Sequence, residues 1–417
     1  MLLTAAAVAT GVAGCGNAPA DAAGPPRPDV LVACVDDLGW GDLARAVRAT
    51  GRAPRAATPA FDRLLSEGFA YRDAYASSPW AGETLTALLS GFAAPRAKDA
   101  AWVPTLAEQL RHDGYTAALV LGSTRHLDAL VAPDERAEPA TVPGFQDVLV
   151  APGAERPEGA RADDVRRLAA EWAGSTPGPQ LVVCTFADPA APHDAYLDVG
   201  VDLLDDGSAA RRVPAGLPHG ELLRRAPSFG AEERARLAAL HASEVAAVDR
   251  AFGRLAQSVI ERRTVEPVLA LASLRAPALG ANGRYGLVPS LEPDALRVPV
   301  VVRFPGAFHG RARPAGESDG IVSLVDLGPT LVDALGLEPR LDLDGRSVFP
   351  GSNADPGRRI LASTARAVDA HAVLGATRAS VEVSGPAAPS ARRFERSAPA
   401  ARWTEVTAEP TAPGGER

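Results

Sequence analysis

Five short, almost wholly apolar runs recur along the chain, at 29–35 (DVLVACV), 117–121 (AALVL), 180–186 (QLVVCTF), 267–272 (PVLALA) and 298–303 (VPVVVR). Runs of this length without polar alternation are the mark of strands buried on both faces, so they predict a parallel or mixed sheet. Between them the apolar period lengthens to three and four, predicting helices over 58–67, 104–113, 163–173 and 231–262. Thr58 stands as N-cap of the first, with Pro59 at its first helical position. In the last, Leu237, Leu240, Glu244, Val245, Val248, Phe252, Leu255 and Val259 mark one face that packs on the sheet. Strand and helix in repeated alternation predict a three-layer α/β/α sandwich with a mixed, mostly parallel central sheet over 29–355. Beyond 355 the pattern weakens: a small α+β region is expected over 356–403, with strand character at 368–383, then a polar tail over 404–417.

The amino-terminal residues change the picture of compartment. Residues 2–14 are apolar but too few to span a bilayer as a helix, and Val12-Ala13-Gly14-Cys15 resembles a bacterial lipobox. The expectation is an exported envelope lipoprotein with a signal segment over 1–15, lipid on Cys15 and a Pro/Ala linker over 16–28. Charge excludes other partners: 43 basic against 51 acidic side chains leave −8, no footprint for nucleic acid, so membrane contact is expected through the anchor alone. Cys34 and Cys184 lie in apolar runs and are expected to be core residues without a disulfide. Lys98 is the single lysine.

The first apolar run leads directly into Asp36-Asp37-Leu38-Gly39-Trp40-Gly41-Asp42-Leu43. Paired carboxylates at the carboxyl end of a buried strand suit either a hard divalent cation, at the edge where open α/β sheets bind ligands, or an Asx-rich turn. This motif resembles that of the sulfatase family of the alkaline phosphatase superfamily. Further segments keep the family's order: ATPAFDRLLSEGFAYRDAYASSP (57–79), LTALLSG (85–91), VPTLAEQLRHDGYTAALVLG (103–122), ADPAAP (187–192), HASEVAAVDRAFGRL (241–255), LRVPVVVRFPG (296–306), and SLVDLGPTLVDALGL with DGRSVFP (within 323–350).

The resemblance implies an active site that this chain does not spell out. The family's formylglycine, serine or threonine nucleophile would stand ten residues before Gly91, which is Ala81, and no cysteine has the context that formylglycine requires. Leu85 takes the place of an arginine, Ala190 that of a histidine, and the positions of two lysines fall near Ser123 and Val288. Asp36 and Asp37 would be the residual metal ligands, with Leu274 and Arg275 at the two lost ligand positions, so no cofactor is expected and Ca2+ or Mg2+ would bind weakly at most. Thr84 is expected as a first-turn helix residue, or else as a stand-in nucleophile. His193 is expected at the surface, or else as a weak stand-in for the substrate-side histidine whose position falls on Ala190, and Arg125 and His126 in an exposed loop, with a cation and imidazole at the first lysine position as the alternative. Two adjacent buried carboxylates would repel, and the Arg275 guanidinium is expected to reach them in place of a cation.

These absences together predict a sulfatase-like pseudoenzyme that keeps a cleft for sulfated or anionic glycans or partners an active relative. The alternatives are an ester hydrolase with a non-standard centre on Asp36, Asp37 and Thr84, and an envelope scaffold.

Overall fold

The computed structural model describes residues 27–93, 104–129, 141–204, 207–280, 283–287, 290–308, 311–340, 342–351, 355, 357–364, 369–375, 378–384, 390–396 and 403–406. Cys15 with the lipobox, the linker before residue 27, Lys98, Val288 and the end of the chain from 407 lie outside the described residues.

Eight strands form the central sheet. They are β1 (Val30–Val35), β2 (Phe69–Tyr75), β3 (Thr116–Leu121), β4 (Asp147–Val150), β5 (Gln180–Phe186), β6 (Val268–Ser273), β7 (Arg297–Arg303) and β10 (Gly316–Ser323); β8 (Ala307–Phe308) and β9 (Arg311–Ala312) make a separate small hairpin. The spatial order is β10-β2-β7-β6-β1-β5-β3-β4, and β7 runs against both its neighbours while the rest share one direction. The mixed, mostly parallel sheet is therefore as the apolar runs predict.

The three layers follow from alternation within β1. Val30, Val32 and Cys34 point into one apolar cluster, and Leu31, Ala33 and Val35 into the other. The first face is covered by α3 (Ala81–Ser90), α4 (Leu106–Arg111) and α7 (Leu327–Ala334). The second is covered by α2 (Pro59–Glu67), α5 (Ala162–Ser175) and the 32-residue α6 (Ala231–Arg262), while the short α1 (Ala44–Arg48) lies on α2. Cys34 and Cys184 belong to opposite faces and are both free thiols; burial pushes Cys34 up to about 12. Among the described residues no helix is long and apolar enough to cross a membrane.

Thr58 does occupy the N-cap position of α2, but its hydroxyl accepts from Ala44 N at 2.8 Å and does not cap the helix. The capping comes from another element: the Asp249 carboxylate on α6 accepts from Phe61 N at 2.7 Å and from Ala60 N at 3.2 Å.

The carboxyl-terminal region differs from the α+β expectation. It is an antiparallel sheet of β11 (Ile360–Thr364), β12 (Asp369–Leu374), β13 (Arg378–Ser384), β14 (Ser390–Glu395) and β15 (Thr404–Val406), with no helix among its described residues. β15 lies within the segment expected as a polar tail, because it pairs with β14 at Arg393 and Glu395. This sheet shares the apolar core of the main domain through Ile360, Ala372 and Phe394, and polar contacts fasten it further: Ser363 N donates to Ser77 O at 2.9 Å, Arg392 meets Glu292 at 2.7 Å, and Arg396 grips the Asp73 carboxylate of β2.

Candidate functional site

Register brings the site together. Val35 on β1 is level with Phe186 on β5 and Ser273 on β6, so Asp36, Ala187 and Leu274 leave the sheet side by side at its carboxyl edge. Asp36 N donates to Phe186 O at 2.9 Å and Leu274 N to Val35 O at 2.8 Å, extending the ladder by one step on each side. At Asp37 the backbone turns into the left-handed region, φ 54°, uncommon for a residue with a Cβ. Its carbonyl accepts from His241 Nε2 at 2.8 Å. Asp42 closes the turn, accepting from Gly39 N at 2.8 Å.

Arg275 fills the space between the two carboxylates. Its Nη2 lies 3.2 Å and its Nε 3.3 Å from Asp36 Oδ1, and Nε lies 2.8 Å from Asp37 Oδ1. All three side chains are buried. Neither the Nη2–Asp36 nor the Nε–Asp37 contact is aligned as a hydrogen bond, so Arg275 Nη2 and Asp37 Oδ1 both remain without a hydrogen-bond partner. Burial alone would raise the Asp36 carboxyl, but Arg275 and then His126 overcome it and hold Asp36 well below the usual carboxylate range. For Asp37, burial together with Asp36 alongside outweighs Arg275 and pushes the group well above that range. A single guanidinium charge does not satisfy two carboxylates.

The residues present do not fit the divalent cation that the sulfatase resemblance implies. Leu274, at one ligand position, is wholly buried in the apolar core, and the guanidinium of Arg275, at the other, already occupies the oxygens an ion would need. Among the described residues no three His, Cys, Asp or Glu side chains are grouped to hold a metal.

Two expectations of exposure are corrected. His126 is buried, in a 3-10 turn over Thr124–Ala129, with Nδ1 2.9 Å from Thr185 Oγ1 and Nε2 3.7 Å from Asp36 Oδ2. His193 is also buried: its Nδ1 shares a 2.7 Å hydrogen bond with Glu244 Oε2, and its ring meets that of His241 edge-on at 5.5 Å. Burial, with His241 alongside, pushes His193 well below the ordinary imidazole value, and burial with Asp188 near raises Glu244 well above the carboxylate range. Both shifts favour uncharged forms. Arg125 is half-buried, its Nε donating to Ser123 Oγ at 3.3 Å, and its charge is felt at Asp36, Asp37 and the part-buried His219.

The position that the sulfatase resemblance gives to a nucleophile lies at the start of α3. Ala81 is its first residue, behind the N-cap Trp80, and Gly91 terminates it in the left-handed conformation at φ 72°. Thr84 sits in the first turn, fully buried, and its hydroxyl donates to Ser78 O at 2.9 Å. Leu85 is packed in the core, and Ala190, where the resemblance would place a histidine, is also buried. Ser78 and Glu83, which share a hydrogen bond at this helix start, and the His241–Asp42 pair at 3.6 Å have no distinguishing signal in the sequence. One sequence signal does point to the polar cluster: Glu244 recurs at a core spacing of an otherwise apolar helix face, which demands a buried partner.

Comparison with known proteins follows the same lines. N-acetylgalactosamine-6-sulfatase of Canis lupus familiaris is 24% identical over 376 residues, 79% of this chain and 67% of that protein. A protein solved in complex with its substrate D-glucosamine-2-N,6-O-disulfate superimposes with a TM-score of 0.67 at 15% identity, over 88% of this chain and 91% of its own. Phosphonate monoester hydrolase of Agrobacterium radiobacter gives 0.64 at 18% identity, over 88% and 89%. At these identities the superpositions speak for the fold. The family model described as Sulfatase matches residues 28–337, most of the chain, and with the sheet order and the Asp36-Asp37 edge it is decisive: the chain belongs to the sulfatase family.

Proposed function

We propose that the protein is a non-hydrolytic sulfatase-family member whose cleft holds sulfated or otherwise anionic glycans. The observation that carries this reading is the start of α3: a methyl group at Ala81 where the family attacks the ester, with the neighbouring Thr84 hydroxyl buried and committed to a backbone carbonyl. Acyl-, phosphoryl- and sulfuryl-transfer sites need an exposed, activated nucleophile, and neither residue provides one. Arg125, half-buried and without a salt-bridge partner among the described residues, supports the anionic side of the proposal. The sulfated sugar held by the structural neighbour supports a glycan as the ligand class. Export and lipidation at Cys15 form part of the same proposal.

The test pairs turnover with binding. Purified protein incubated with aryl sulfate and aryl phosphate esters, with and without Ca2+ or Mg2+, is expected to release no product, while sulfated disaccharides bind and their desulfated forms do not. Arg125→Ala should weaken that binding roughly 10-fold, the worth of one charge-assisted contact. Metal-dependent turnover that disappears in Asp36→Ala would instead establish an active hydrolase.

A further inference from the structure

We infer that the Asp36–Asp37 pair is a cation socket filled from within, the Arg275 guanidinium serving as a covalently tethered counter-ion, and that the socket reverts to ion binding when positions 274 and 275 regain oxygen ligands. Three observations carry this beyond the question of turnover.

The first is placement. Position 274 follows the strand adjacent to β1 at a level that faces Asp36, and the chain there is braced by Ser273, whose hydroxyl donates to Arg275 O at 2.7 Å and accepts from Leu38 N at 3.3 Å. The loop that delivers Arg275 is thus tied to the loop that carries the carboxylates. A side chain at 275 enters the socket without rearrangement of either strand.

The second is fit. A guanidinium is planar and pairs best with one carboxylate through two parallel hydrogen bonds. Here it stands between two carboxylates on adjacent residues, touches both through Nε, and leaves Nη2 and Asp37 Oδ1 without hydrogen bonds. Two oxygens converging on one point are a better match for a spherical ion than for a planar fork.

The third is enclosure. Arg275 is 7% exposed, so its charge faces the carboxylates in a medium where an unpaired partner is costly. The tethered charge makes the fold independent of ion supply, an advantage for a protein that no longer needs an ion for chemistry.

The experiment compares the wild type with Leu274→Asp/Arg275→Asn. The wild type should carry no stoichiometric metal by elemental analysis, and its Tm should not move with EDTA or millimolar Ca2+. The double variant should bind Ca2+ calorimetrically and gain several degrees in Tm on its addition, reversed by EDTA and abolished by adding Asp36→Ala. Stoichiometric, Asp36-dependent metal in the wild type would overturn the inference, as would a folded double variant indifferent to Ca2+. Should the double variant not fold under either condition, Arg275→Met decides: a lowered Tm recovered by Asp37→Asn supports the tethered counter-ion, and an unchanged Tm overturns it. These readouts need no substrate, so they can fail independently of the turnover and glycan assays.

Discussion

Asp73 and the Asp36–Asp37 pair are both buried carboxylates met by arginine on the same sheet, and they are served very differently. Arg396 takes Asp73 in a two-pronged grip, with Nη1 2.7 Å from Oδ1 and Nη2 on Oδ2, while Tyr75 donates to Asp73 Oδ1 at 2.9 Å. The guanidinium carbon lies 4.4 Å above the Trp403 ring, and Trp403 in turn donates to the Tyr75 hydroxyl at 3.2 Å. Charge, fork geometry and aromatic packing all agree there. At Asp36 and Asp37 one guanidinium is divided between two acids and hydrogen-bonding groups go unused. The first cluster has the geometry of a structural clasp, the second that of a charge shared between two acids it does not fully satisfy.

The contrast is broken most decisively at the clasp. Asp73→Ala or Arg396→Met removes the two-pronged partner of a buried charge, Arg396→Met leaving Asp73 to Tyr75 and to Arg297 at 3.8 Å, and should cost about 3 kcal/mol in denaturant unfolding. Protease cleavage of the carboxyl-terminal sheet should rise in parallel, since this pair is among the contacts that hold it down. Arg275→Met should cost less, about 1–3 kcal/mol, because the pair it leaves is already imperfectly satisfied and can relieve itself by taking up a proton; equal losses at the two sites would erase the distinction.

A fourth buried carboxylate sharpens it. Asp249 has no guanidinium, only the amides of Ala60 and Phe61, and burial pushes it up to about 7 from 3.8. The native state therefore keeps this proton up to near neutrality while the unfolded chain releases it near pH 4. Stability should fall as pH rises through that window and level off above it, by about 2–3 kcal/mol between pH 5 and 8, and Asp249→Asn should flatten the slope. The smallest effect belongs to Asp37→Asn, within about 1 kcal/mol of the wild type at pH 7 by thermal unfolding, since it removes the acid that Arg275 serves worst.

Much of the frame is legible in the order of the amino acids. VLVACV and its four counterparts are apolar at nearly every position, so they announce strands buried on both faces, and all five are in the sheet. β2, β4 and β10 escape that reading: FAYRDAY carries charges that only tertiary partners explain, Asp73 facing Arg396 and the Arg72 guanidinium carbon lying 4.4 Å over the Trp40 ring, while β4 and β10 are the two edge strands and β10 exposes its charges. The site divides the same way. Asp36, Asp37 and Arg275 can be placed because each adjoins a recognisable strand. His126 and His193 are expected outside because their partners, Thr185 and Glu244, lie 59 and 51 residues away, beyond any local pattern. Thr58 shows the reverse: its position at the helix start is as expected, yet the capping falls to Asp249, 188 residues downstream of Phe61.

The clasp also has a consequence in time. Asp73 and Arg396 are 323 residues apart, so on a ribosome adding about 5–20 residues per second the acid waits roughly 16–65 s for its partner to be made. Once β7 and β10, the strands it pairs with, have been made, β2 must hold a buried carboxylate with Arg396 still unsynthesised. A nascent chain stopped short of residue 396 should consequently be a client of chaperones however complete its other strands are, and the last stretch of translation becomes the step that commits the whole molecule to its native state.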